Sequence, residues 1–86
     1  MGVITQEELE YYQTCFGKAV QRYRKERQLT QAQLAELIGL HRSTVSKIER
    51  GKVNVALFTI IDITSVLGVS IGDLLDFEDG AMGNHN

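Results

Sequence analysis

Residues 30–50 read Thr30-Gln-Ala-Gln-Leu-Ala-Glu-Leu-Ile-Gly-Leu-His-Arg-Ser-Thr-Val-Ser-Lys-Ile-Glu-Arg50. Two segments of helical length meet in it at Gly39. Leu34, Ile38, Leu40, Val45 and Ile48 fall where two crossed helices face each other. Ala35 stands at the expected point of closest approach, where only a small side chain fits. Gly39 supplies the left-handed backbone that a tight turn after a helix needs.

A pair of short helices joined in this way is the sequence form of a helix-turn-helix, a unit whose second helix fits the major groove of DNA. Charge distribution points the same way. The chain has a net charge of −2, yet all nine Lys and Arg lie between Lys18 and Lys52, among only three acids, Glu26, Glu36 and Glu49. That window carries a formal +6 and its flanks −8. A basic block inside an acidic chain is the footprint expected of a surface that meets phosphate, although solvated helix faces would give the same count.

Outward from the central pair, the chain reads as helical throughout. Thr5-Gln-Glu-Glu8 is a capping box opening a first helix, with apolar residues recurring at Leu9, Tyr12, Phe16, Ala19, Val20 and Tyr23. That period runs through Gly17, so one long helix over residues 6–27 and two helices broken near Thr14 to Gly17 are both open, and the break is favoured. Thr30-Gln-Ala-Gln33 is a second capping box. The next helix runs from Arg42 to Arg50 and stops at Gly51. Leu57 to Leu67 forms an apolar helix ended by Gly68, with Leu57, Ile60, Ile63, Thr64 and Leu67 as its inward stripe. Ser70-Ile-Gly-Asp73 caps a last short helix. The expected organisation is an amino-terminal helical extension over residues 1–15, a helix-turn-helix domain over 16–75 and an acidic, disordered tail over 76–86.

With 86 residues and 43% hydrophobic content, one small domain is expected. No apolar run approaches the ~18 residues of a membrane span. A lone Cys15 and the lack of a signal-like amino terminus suit the cytosol. Cys15, His41 and His85 are too scattered for a metal site, and no phosphate loop or nucleophile motif occurs, so neither an enzyme nor a bound cofactor is expected.

Residues 16–75 resemble the phage-repressor-like helix-turn-helix family, also called the xenobiotic-response-element type. The resemblance rests on Leu29-Thr-Gln, the Gln33-Leu-Ala run, Gly39, Ser43-Thr-Val-Ser-Lys-Ile-Glu-Arg-Gly-Lys52 and the Leu67-Gly-Val-Ser with Asp73-Leu-Leu ending. The wording from Gly39 to Lys52 is also similar to the small controller proteins of restriction–modification systems. The resemblance implies an all-α, compact five-helix repressor-like domain that binds double-stranded DNA, usually as a homodimer.

Carried over by position, it implies that Arg42, Ser43 and Lys47 read bases, with His41 just before them. Arg and Lys can donate to guanine O6 and N7, and Ser can serve several bases. Gln31 matches the position that holds a phosphate at a helix amino terminus. Thr44, Ser46, Arg50 and Lys52 are further phosphate candidates. Glu49 is implied to pair with Arg24, locking the first helix to the recognition helix. His41 departs from the Ser, Asp or Asn that would cap that helix well. Phe58 and Ile61 stand outside the inward stripe and are expected at a dimer interface, unless the amino-terminal helix covers them. The alternative partner class is a protein, bound by an antitoxin-like chain through its tail or first helix.

Overall fold

The computed structural model describes residues 2–76 and contains five helices: α1 Gln6–Glu26, α2 Gln31–Ile38, α3 Arg42–Glu49, α4 Leu57–Leu67 and α5 Ile71–Leu74. There is no strand among the described residues. Three helices open on capping boxes, at Thr5–Glu8, Thr30–Gln33 and Ser70–Asp73. In each, the hydroxyl accepts an otherwise unpaired amide while the third residue's side chain accepts the cap amide. α3 opens on His41 without a side-chain cap, as its residue type implies.

Four helix ends close alike. A residue in the left-handed region lets the following amide reach back across the last turn: Leu29 to the Arg24 carbonyl, Leu40 to Ala35, Lys52 to Lys47 and Val69 to Thr64. Glycine takes the left-handed position in three of these ends. At the end of α1 it is Gln28, at φ 59°.

The favoured break in α1 does not occur. α1 is one helix of 21 residues, so the expected boundary between residues 15 and 16 falls inside continuous helix. Gly17 has a different duty. A Cβ on it would overlap the carbonyl oxygens of Ile48 and Glu49, at the end of α3. Glycine is there so that α1 can lie against the carboxyl end of α3. Thr14 packs in the same way against Gly51, the turn residue after α3.

Phe16 and Val20 of α1, Leu34 and Ala35 of α2, Val45 and Ile48 of α3, Ile63 and Leu67 of α4 and Leu74 of α5 form the core. Every helix contributes to it. Leu57 is a correction: it is 66% exposed, because the first residue of α4 stands beyond the edge of that core. The rest of the inward stripe is buried or half-buried. Phe58 and Ile61 are 71% and 47% exposed, so α1 does not cover them. The tail from residue 77 onward, on which the antitoxin-like alternative partly rests, lies outside the described residues, as does His85.

Candidate nucleic-acid interface

α3 is held by its inner side and free on its outer one. Val45 and Ile48 enter the core, whereas Ser43, Lys47 and Arg50, at helical spacing, line the opposite face with Arg42 at its amino end. His41, Arg42, Ser43, Lys47 and Arg50 are all exposed, and Ser46 is half-buried. Arg50 Nε donates to the Ser46 carbonyl at 3.4 Å, which lays the guanidinium along the helix. Thr44 points elsewhere. It borders a hollow with Leu40, Ile48, Val53 and Val55 beside the α3–α4 connection, away from Ser43 and Lys47.

The position of α3 is fixed by one carboxylate. Glu49, its last helical residue, has a side chain only 1% exposed. Its Oε2 accepts Arg24 Nε at 2.6 Å. Its Oε1 accepts Arg24 Nη2 at 3.0 Å, Gln31 Nε2 at 3.0 Å and Gln21 Nε2 at 3.5 Å. Arg24 Nη1 donates to the Leu29 carbonyl at 2.7 Å in the α1–α2 connection. One buried Arg–Glu pair therefore joins α1, the loop, the start of α2 and the end of α3. A planar guanidinium suits this role, since its fork matches both carboxylate oxygens and keeps a donor for a third partner.

Two of these contacts were not legible beforehand. Gln21 lies in no motif, and Gln31, expected to face phosphate, has one of its amide hydrogens engaged by Glu49. The second amide hydrogen of Gln31 is still available, as are the main-chain amides of Gln31 and Ala32. Those belong to the first turn of α2 and have no intrahelical acceptor.

The basic window divides once folded. Arg24 is buried in the pair. Lys18 and Arg22 border a hollow of about 340 Å³ on the far side of α1, together with Asp73 and Asp76 from α5 and the end of the chain described. The Arg22 guanidinium stacks over the Tyr23 ring at 4.7 Å, and Arg27 pairs with Glu26 at 3.5 Å. Lys25 is exposed in the last turn of α1, and Arg42, Lys47, Arg50 and Lys52 remain, exposed on α3 or directly after it. The cations of the window thus concentrate on and just after α3, with the others spread over α1.

No group of three metal-ligating side chains occurs among the described residues, and no described helix is long and apolar enough to cross a membrane. The outer face of α3 presents hydrogen-bond donors and positive charge to solvent.

Residues 20–74 match the helix-turn-helix family, and the chain belongs to it, a family of DNA-binding transcription regulators. The control protein C.BamHI of Bacillus amyloliquefaciens is 44% identical over 72% of this chain and 78% of that protein. The immunity repressor protein of Bacillus phage phi105 is 39% identical over 72% of this chain, which spans only 43% of the repressor. Among solved structures, the restriction–modification controller protein C.AhdI from Aeromonas hydrophila superposes with a TM-score of 0.69 at 35% identity, over 72% of this chain and 94% of that one. The phage-repressor-like resemblance of residues 16–75, and the controller-like wording from Gly39 to Lys52, are thus supported by both sequence and fold.

Proposed function

We propose that the chain is a cytoplasmic, sequence-specific transcriptional regulator that binds a palindromic operator as a homodimer, acting as a repressor or an autoregulatory controller. The observation that carries this reading is the exposed face of α3, where Arg42, Ser43 and Lys47 stand together with Arg50 and Lys52 beside them. With α3 in the major groove, Arg42 and Lys47 donate to guanine edges, Ser43 to a base of either kind, and His41 reaches an edge at the rim. Arg50 and Lys52 take phosphates. Ser46 adds a weaker contact, and Thr44 takes a phosphate only from the side of the α3–α4 connection. Gln31 takes another phosphate through its remaining amide hydrogen and the first-turn amides of α2. Such contacts fix register without reading sequence.

Phe58 and Ile61 supply the self-association. Like apolar patches on two copies bury each other about a two-fold axis, and two recognition helices then face successive major grooves. The kinship with C.BamHI and C.AhdI supports the controller role. Selection of bound duplexes from a random pool, at stated salt, tests the reading. Enrichment of a motif with two-fold symmetry is expected. Recovery of no motif would contradict it, and recovery of an asymmetric one would contradict the homodimer.

A further inference from the structure

Beside the amino end of α4 lies an apolar groove of about 150 Å³, lined chiefly by Leu9, Tyr12, Phe16, Val55, Ile60 and Leu75. Three of those six residues, Leu9, Tyr12 and Phe16, belong to α1, and Leu9 and Tyr12 precede the residues 16–75 over which the chain resembles the family. The groove exists because α1 begins at Gln6 and runs unbroken, so that Leu9, Tyr12 and Phe16 form its wall opposite Val55 and Ile60. Its α4 edge continues into an exposed strip. Ile60 lines the groove, Leu57 stands one turn before it, Ile61 one turn after Leu57, and Phe58 one turn before Ile61. Phe58 is the most exposed large apolar side chain within any described helix. The strip has a hole at one end and an aromatic knob at the other.

Resting on the homodimer proposed above, we infer that the groove's occupant is Phe58 of a second copy. About a two-fold axis through the middle of the strip, near Leu57 and Ile61, the knob end of each copy meets the hole end of the other. Sizes agree, because an apolar cavity of about 150 Å³ accepts a benzene-sized ring. Both rings would be seated by one symmetric contact, and Leu57 and Ile61 would be buried between them. The pairing then depends on the early start of α1, so a related chain without that extension offers the knob no seat. The amino-terminal part of α1 is in this way a partner-selecting element.

Sedimentation equilibrium on the full chain tests this with Phe58→Ala, Leu9→Ala, Leu75→Ala and the two pairings of Phe58→Ala with a groove variant. Each single change is expected to raise the dimer dissociation constant roughly tenfold or more. Each double change is expected to raise it little beyond the larger single effect, a coupling of about tenfold. Helical circular dichroism on each variant identifies any that has lost its fold, and Leu75, at the end of the described chain, gives a groove variant that leaves α1 intact. If Phe58→Ala weakens the dimer while both groove variants leave it unchanged, or if the effects multiply in full, the seat is wrong and the α4 dimer stands. A wild-type chain monomeric at every concentration, or a dimer indifferent to Phe58→Ala, overturns the homodimer reading and the seat with it.

Discussion

Arg24 and Glu49 face each other in the interior through two hydrogen bonds, Nε to Oε2 at 2.6 Å and Nη2 to Oε1 at 3.0 Å, with side chains 8% and 1% exposed. They come from α1 and from the end of the helix proposed to read bases, so the pair determines how that helix is presented. Its net stabilisation need not be large, because removing two charges from water offsets much of their attraction.

Losing one partner is another matter. Arg24→Ala or Glu49→Ala should each cost about 3–5 kcal/mol, since the remaining buried charge keeps only neutral amide or carbonyl partners and loses its counter-charge. The double change should cost clearly less than the sum of the two. Urea unfolding of the four proteins measures the coupling, and a coupling near zero would mean that the pair does not act as a unit.

Gly17→Ala raises intrinsic helix propensity by about 1 kcal/mol and should nevertheless destabilise the protein. The added methyl has no room against the Ile48 and Glu49 carbonyls, so α1 must lift from α3. A loss of about 1–3 kcal/mol is expected from overpacking, read as a lower midpoint in thermal or urea unfolding. An unchanged or raised midpoint would show that the close approach is not required.

Gln28→Gly should stabilise by roughly 0.5–1 kcal/mol, because a left-handed Gln is strained by about 1–2 kcal/mol and glycine returns part of that as chain entropy. Gln28 is the one left-handed helix end here without glycine. Thermal unfolding at neutral pH checks the sign, and a lower midpoint would contradict the account of that turn.

Much of this fold was legible because it depends on local chemistry. Thr5, Thr30 and Ser70 announce helix starts through hydrogen bonds made within four residues, and Gly39, Gly51 and Gly68 announce stops through one backbone angle each. Arg24 and Glu49 were paired only through resemblance, and no local rule links residues 25 positions apart. Gly17 misleads for the same reason. A glycine in a helix signals either weakness or a close neighbour, and the neighbour here is the backbone at Ile48 and Glu49. Leu57 has the inward period but stands one residue past the core edge, which periodicity cannot register. The basic window was a true count with a misleading geometry, because a helix distributes successive cations around its axis. Lys18 and Arg22 finish beside Asp73 and Asp76, in a hollow that no residue of α3 lines.

That division sets an expectation for salt. If Arg50 and Lys52 of each copy neutralise phosphate while Arg42 and Lys47 read bases, the slope of log affinity against log salt should be about −4 for a dimer, and no steeper than about −7 if all four cations count. Replacing Lys18 and Arg22 together by Ala should leave the slope unchanged. A slope steeper than about −10, or one that falls with that double change, would bring the far side of α1 into the interface.

The central claim is that the outer face of α3 reads base sequence, and Arg42→Ala bears on it most directly. Its selected operator motif and affinity, measured beside wild type and Gln31→Ala at one salt concentration, separate reading from holding. Arg42→Ala should lose about 1–3 kcal/mol on the operator and relax preference at one position in each half-site, whereas Gln31→Ala should weaken all sequences alike and leave the motif intact. An Arg42→Ala protein that selects the same motif with undiminished affinity would contradict the account.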